Sequence, residues 1–396
     1  MENYLQFCKS EQQLRYLQAV IDQGSNRKAA EHLGINRRTL DRVIERVKKH
    51  AAVQMYSPDH DMPYSLPPGF NAKRVSIYRA ATEYAPAQWN IGVADTAYQT
   101  EMMRQFIESL IEDLNSARPP KRIEIPEIVS SGKHRANFFM VGDAHLGMRA
   151  YSKETLNDNH DTNIGINDLY NAFQHLISVS PDCQVGYLVN VGDLFHANDL
   201  SARTPGHGND LDVDGRFGDV IDNALMLFCY VIELMLSKFP EVKIINARGN
   251  HDPEAARWFS RLVAARWHHE PRVDVLNNDS KFINFSYGRN FISIHHGDRI
   301  KRQQWYEAMT RDFRQMFGEA LYTYGWSGHI HHKDAHEIGG CLFESFNVLP
   351  PPDEWHAANG YGANREMQSI IMSEQHGILG RNVCPIALAR EYEYVL

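Results

Sequence analysis

Thiols are scarce in this chain. Five cysteines in 396 residues, Cys8, Cys183, Cys229, Cys341 and Cys384, are odd in number, far apart and form no CxxC pair. That argues against a disulfide frame and a thiolate zinc site and suits a reducing compartment, the cytoplasm, or that of a bacterial host cell if the chain is phage-encoded. Long apolar runs are missing as well. The longest, Ala224 to Leu236, is interrupted by Glu233 and is too short for a bilayer, so a buried helix is expected and no membrane partner. The first residues carry no basic stretch followed by an apolar core, and no secretory leader is expected. There is no surplus of positive charge: 41 Lys and Arg face 49 Asp and Glu, a net charge of −8. Any contact with nucleic acid has to come from a local basic patch. Repeats and low-complexity tracts are absent from the sequence.

What the chain has is histidine, 20 in all and several of them clustered, more than packing requires. It also has a change of grammar near residue 135. Before it, residues 11–50 read as three helices. Leu14, Leu17, Ala19, Val20 and Ile21 give the first an apolar face. Gly24 stops it, and Ser25 caps the second, which carries Ala29, Ala30 and Leu33. Gly34-Ile35-Asn36 forms a tight turn. The third helix, Arg37 to His50, buries Leu40, Val43, Ile44 and Val47 at helical spacing. From Asn26 to Lys49 there are eight Lys/Arg against three Asp/Glu, a local excess of +5. The run Arg27-Lys28-Ala29-Ala30, Leu33-Gly34-Ile35 and Thr39-Leu40 resembles helix-turn-helix domains, whose last helix enters the major groove. The resemblance implies nucleic-acid binding, DNA before RNA, through Arg27, Lys28, Arg37, Arg38, Arg42 and Arg46. The plainer alternative is a trihelical bundle with a solvated basic face, used for docking or as a homodimer contact. Residues 56–134 read as a connecting region: strands at Arg74–Arg79 and Gln88–Val93 in a small hairpin, a helix over 98–114, and a Pro-rich linker from Asn115 to His134.

From 135 to 396, strands alternate with helices, the pattern of an α/β domain. Strands are expected at 137–141, 185–191, 242–247, 273–275, 282–287, 291–295, 322–326, 342–348, 367–372 and 378–383. Helices are expected at 166–179, 219–238, 254–267 and 302–316. Five polar motifs stand at the ends of five of these strands: Gly142-Asp143-Ala144-His145, Gly192-Asp193, Gly249-Asn250-His251-Asp252, His295-His296-Gly297-Asp298 and Gly328-His329-Ile330-His331-His332. Ligands collect outside the carboxyl ends of strands in open α/β sheets. Aspartates, an amide and histidines without sulfur make a set for Mn²⁺, Fe or Zn²⁺. About seven ligands are too many for one ion and suit two ions sharing a carboxylate. Taken singly each motif is weak; a Gly-Asp means little and a lone His is usually structural. The five in order are specific. Asn159-His160-Asp161 lacks the leading Gly and the strand, and is read as loop.

The ordered set resembles the calcineurin-like metallophosphoesterase superfamily over about 135–350. Gly192-Asp193-Leu194-Phe195-His196 looks most like the DNA double-strand-break repair nucleases within it. With the helix-turn-helix in front, the whole arrangement is similar to phosphoesterases encoded by bacteriophages. The resemblance implies a four-layer α/β/β/α sandwich behind a small helical domain of residues 1–55. It implies two divalent ions, Mn²⁺ first, with Fe or Zn²⁺ also compatible. One would be held by Asp143, His145, Asp193 and His331, the other by Asp193, Asn250, His296 and His329. His296 is chosen over His295 because it lies beside Gly297 and alternation turns His295 to the other face. It implies hydrolysis of a phosphodiester by water activated between the ions. His251 would protonate the leaving oxygen and Asp252 orient His251. The expected activity is that of a nuclease. The alternatives are a phosphodiesterase or phosphatase for a small nucleotide, linear or cyclic, and a DNA-binding regulator whose catalytic domain has become a scaffold. Arg203 and Arg216 in the long polar loop after Asp193, with Arg248, Lys301 and Trp326, are weighed as phosphate contacts against ordinary structural roles.

Overall fold

The computed structural model of the chain describes residues 2–53, 74–79, 88–93, 104, 123–277 and 279–392. The helix expected over 98–114, apart from Arg104, and the Pro119-Pro120 part of the linker lie outside them. The chain divides into two compact units, Met1–Gln105 and Phe106–Leu396.

In the first unit, α1 (Glu11–Gln23), α2 (Asn26–Leu33) and α3 (Arg37–Val53) follow a 3-10 turn at Glu2–Phe7. Local chemistry sets their ends. The Ser10 side chain accepts from the Gln13 N–H, and that of Ser25 from Lys28. Gly24 and Gly34 close α1 and α2 at φ 67° and 66°, a region that favours glycine. Asn36 Oδ1 accepts from the Arg38 N–H at 2.9 Å and starts α3. The three helices share a core of Leu17, Val20, Ala29, Ala30, Leu40, Ile44 and Val47, completed by Tyr4 and Phe7 from the 3-10 turn. Leu14, expected in it, is 47% exposed, because the buried stripe of α1 is centred on Tyr16, Leu17 and Val20. Further on, β1 (Arg74–Arg79) pairs antiparallel with β2 (Gln88–Val93).

The second unit holds two mixed sheets. The first has β3 (Arg135–Val141), β4 (Val185–Asn190), β5 (Glu241–Asn246) and β6 (Val273–Leu276) side by side and parallel, with helices α4 (Thr162–Ser178), α5 (Phe217–Lys238) and α6 (Ala255–Trp267) between them in sequence. β4 is buried along its whole length, which is why it reads as an unbroken apolar run. α5 is long and apolar enough to cross a membrane, but Val220, Ala224, Phe228, Val231 and Met235 are buried against the sheet and its neighbouring helices.

The second sheet contains β7 (Ile283–Tyr287), β8 (Asn290–Ile294), then α7 (Arg302–Asp312) and α8 (Arg314–Glu319), and β9 (Tyr322–Ser327), β10 (Asp334–Ile338) and β11 (Cys341–Ser345). β8, β9 and β11 run parallel, and β7 and β10 close the edges antiparallel. β12 (Glu366–Ser373) and β13 (Gly377–Pro385) return to the first sheet and extend it beside β3.

Strand alternation builds the packing. Ala136, Phe138 and Met140 of β3 face one apolar cluster together with Ile292, Ile294, Tyr324 and Trp326 of the second sheet. Phe138 stacks on Tyr187 at 4.2 Å and stands edge-on to Trp326 at 5.2 Å, joining the two sheets. Phe139 and Val141 face the opposite way, onto Phe173, Leu176 and Phe228 of the helices. The outer face of the second sheet carries α7, where Trp305 and Met309 cover Phe291 and Phe343.

Two expectations need correction. The helix expected over 302–316 is broken at Phe313 (φ −119°, ψ 36°), whose ring packs toward Phe291. β10 was not expected; it is a short polar edge strand, tied to α7 by Arg302 and Asp334 at 2.6 Å.

Candidate metal centre

The parallel strands β3, β4, β5, β8 and β9 all end at one place, and each delivers a polar loop there. Backbone bonds lace the loops together: His145 N–H to Asp193 O at 3.0 Å, His196 N–H to Leu146 O at 3.0 Å, and Gly328 N–H to His296 O at 3.0 Å. Two carboxylates lie at the bottom. Asp143 accepts both contacts of the His329 N–H, at 2.9 and 3.0 Å, and Asp193 accepts from the His251 N–H at 2.8 Å. Both are buried. Such N–H donors aim the carboxylates without supplying a countercharge.

The histidines gather around them. His296 Nε2 lies 3.0 Å from Asp193 Oδ2, 3.8 Å from Asp143 Oδ1 and 3.0 Å from Asn250 Oδ1. His331 Nε2 lies 3.7 Å from Asp143 Oδ1 and 3.2 Å from His145 Nε2. Donor atoms within 4.8 Å of one another define three groups among the described residues: Asp143, His145 and His331; Asp193, His296 and His329; and His145, His196 and His251.

The backbone pays attention to this arrangement in an unusual way. His145 (φ 43°), Asp193 (φ 52°), His329 (φ 71°) and His331 (φ 56°) all occupy the left-handed region. Non-glycine residues are uncommon there, and such strain concentrates at functional sites. Neighbouring glycines give room for the donors. A Cβ on Gly249 would strike Asp193 Oδ1, and one on Gly328 would strike Asp143 Oδ2.

Electrostatics show a site short of positive charge. Burial, opposed by His296 and reinforced by Asp193, pushes the Asp143 carboxyl up to about 7. Burial works against Asp193 too, but His296 holds it well below the usual carboxylate range. Burial also opposes the charge on His296, yet Asp193 and Asp143 hold it up at about 10. The remaining imidazoles move the other way. Burial, with His251 beside it, lowers His145, and burial with His356 beside it lowers His331 to about 3. One imidazolium between two buried carboxylates, ringed by neutral imidazoles and an amide, marks a place for cations. The oxygen and nitrogen donors fit hard or borderline divalent ions, and sulfur is absent from the cluster.

His295 lies on the other side of its strand, against Phe282 at 4.8 Å and Trp305 at 5.8 Å. His251 touches the cluster, its ring 4.7 Å from that of His145, and its Nδ1–H donates to His196 O at 2.8 Å. Asp252 does not orient His251. Its two oxygens accept from the Phe195 N–H and the Gly249 N–H, each at 3.0 Å. The turn at 249–252 sends the carboxylate back under the β4 loop. His160 of Asn159-His160-Asp161 is also away from the centre; Asp161 caps α4 by accepting from the Ile164 N–H.

Of the other candidates, Arg203, Arg248 and Trp326 have structural partners, while Arg216 and Lys301 stand exposed at helix starts. Arg203 pairs with Asp210 at 2.8 Å. Arg248 donates to Pro253 O at 2.6 Å and pairs with Glu254 at 3.0 Å. Lys301 precedes α7, Arg216 precedes α5, and Trp326 is buried between the sheets. Arg27, Lys28, Arg37, Arg38, Arg42 and Arg46 belong to the first unit and are exposed. Two of them are engaged on the helix surface, Arg27 with Glu31 at 3.3 Å and Arg37 with Asp41 at 3.5 Å.

Two residues at the centre escaped the sequence reading. His196 lies 3.4 Å from His145, Nδ1 to Nδ1, and its ring stacks on His251. His356 comes from the one-turn helix Glu354–Ala358; it stacks on His331 at 4.8 Å and pairs with Asp353 at 2.7 Å. His196 was signalled by its place in Asp193-Leu194-Phe195-His196. His356 had no local signal.

The chain is thus a mixed α/β protein with a ready cluster of oxygen and nitrogen donors for divalent metal. No protein-family profile matches it, and no curated protein does. Solved structures with partial likeness exist. An archaeal phosphodiesterase aligns at 11% identity over 63% of this chain and 99% of its own, with a TM-score of 0.32. A predicted phosphoesterase from Streptococcus pneumoniae aligns at 10% identity over 63% and 98%, with a TM-score of 0.26. The zinc complex of Vps29 from Entamoeba histolytica aligns at 11% identity over 63% and 99%, with a TM-score of 0.27.

Proposed function

We propose that this chain is a two-metal phosphodiesterase of the four-layer α/β/β/α metallophosphoesterase kind, and that it acts as a nuclease. The observation that carries the reading is the pair of donor groups, Asp143–His145–His331 and Asp193–His296–His329, assembled side by side at four strand ends. Asp193 would be shared, with Asn250 completing the second set. Two divalent ions held there, Mn²⁺ by preference, would supply Lewis acidity toward a phosphate and lower the pKa of water.

The chain's own residues do the rest. His251 keeps a proton on Nδ1 through the His196 carbonyl, so Nε2 is the nitrogen that exchanges protons. In its charged form it can protonate the leaving oxygen. His196, whose ring stacks on His251 and whose carbonyl accepts from its Nδ1–H, holds that ring in place.

The nuclease reading rests on the first unit, a trihelical module of helix-turn-helix type with Arg38, Arg42 and Arg46 exposed on α3. These residues would hold phosphates of DNA. The test is a Mn²⁺ panel of linear and circular DNA, RNA, a cyclic dinucleotide and a phosphomonoester, with Asp193→Ala as control. Cleavage of DNA lost in the control is expected. Turnover of the cyclic dinucleotide alone would transfer the assignment to a small-nucleotide phosphodiesterase. His251→Ala should keep its metals by elemental analysis and lose on the order of 100-fold in turnover; full turnover with metals in place would remove His251 from the mechanism.

A further inference from the structure

Beside the metal cluster is a feature that the two-metal reading does not use. An open cleft of about 840 Å³ is lined by His329 and His331 and also by Trp355, His356 and Tyr361. The rings of Trp355 and Tyr361 are stacked on each other, 5.7 Å apart and 20° from parallel. Each residue is 58% exposed. Two large aromatic residues paired in solvent do not serve the core. They offer a wet π surface, which is the usual partner of a planar ring.

The surface is firmly placed. Asp353 starts the helical turn by accepting from the His356 N–H at 2.8 Å. Asn359 N–H returns to Trp355 O at 3.1 Å, and Tyr361 N–H to His356 O at 2.9 Å. His356 links the pair to the metal cluster. Its ring stacks on His331 at 4.8 Å and stands edge-on to Trp355 at 5.0 Å and Tyr361 at 6.0 Å. The aromatic pair is therefore two ring-to-ring steps from a candidate ligand. In a nucleotide, a base stands one sugar away from its own phosphate. Exposed Lys333 on the cleft lining adds a cation for a neighbouring phosphate.

We propose that this cleft is a nucleobase subsite, in which Trp355 and Tyr361 stack an unpaired base of the substrate whose phosphodiester lies at the metal cluster. The inference rests on the phosphodiesterase reading and narrows it. The substrate is a nucleotidyl diester with a base free to leave its duplex stack, a single strand or a frayed end.

The test compares two diesters on the full chain with Mn²⁺: the p-nitrophenyl ester of thymidine 5′-phosphate and ethyl p-nitrophenyl phosphate. In Trp355→Ala the ratio of kcat/KM for the thymidine ester over the ethyl ester should fall about tenfold, through KM, and Trp355→Phe should restore most of it. Fluorescence anisotropy of labelled tetrathymidylate, with and without Mn²⁺, reads the same subsite without turnover and should weaken about tenfold in Trp355→Ala and Tyr361→Ala. An unchanged ratio together with unchanged oligonucleotide affinity overturns the subsite. Trp355-dependent binding by a wild-type chain that cleaves neither ester keeps the subsite and removes the phosphodiesterase reading instead.

Discussion

In the proposed centre Asp193 is the residue that both ions would share. Its carboxylate touches His296 and the His251 N–H. Asp193→Ala should therefore abolish binding of both ions, whereas His329→Ala should leave one; metal content per chain by elemental analysis distinguishes one, two and none. Asp252 makes a different case. Adjacent to His251 in sequence, it suggests an orienting partner, yet its oxygens are spent on two backbone N–H groups of other turns. Burial and Asp193 push it up to about 7, so it is easily neutralised where it sits. Asp252→Asn presents one donor where two acceptors are needed. It should lower unfolding free energy by about 1–3 kcal/mol, measured by urea titration, as expected for a buried group left unpaired.

At the scale of elements, legibility followed local chemistry. The strand ends of the second unit were readable because apolar runs stop at glycines beside Asp, Asn and His. The caps of α1 to α3 were readable because Ser25, Gly24, Gly34 and Asn36 each act on their own backbone. β10 was not, since Asp334-Ala335-His336-Glu337-Ile338 has the polarity of a loop and is held by pairing with β11. Nor was the break at Phe313, where Arg311-Asp312 and Arg314-Gln315 keep helical character on both sides and a tertiary contact decides. His356 reaches the centre from a turn after Pro350-Pro351-Pro352, a placement that depends on the whole chain. α3 yields an element-level prediction. If its exposed face holds phosphates, Arg42→Ala and Arg46→Ala should weaken DNA binding across sequences. Each should reduce the slope of log affinity against log salt by about 1, measured by anisotropy. An unaltered slope would return α3 to the docking alternative.

At the scale of the whole molecule, the expected responses are to pH and to metal. Burial lowers His160 to about 4, well under its ordinary 6.5. The unfolded chain then takes up a proton at a pH where the folded chain does not. The His160 contribution to stability is full above about 6.5 and falls as pH drops toward 4. A melting-temperature series over that range should slope less for His160→Asn than for the wild type. Metal acts in the opposite sense, since ions that bind only the folded chain at 100 times their dissociation constant add about 2.7 kcal/mol. Adding Mn²⁺ should raise the melting temperature of the wild type and leave Asp193→Ala unmoved. The left-handed backbone at His145, Asp193, His329 and His331 gives that difference a further meaning. Each such residue costs on the order of 1 kcal/mol in the folded chain whether or not anything is bound. Glycine would relieve it, and His329→Gly should melt higher than the wild type when both are stripped of metal. Selection for heat resistance in metal-free medium would therefore dismantle the centre one position at a time, so any laboratory evolution of a hardier version under those conditions has to screen for turnover at every round.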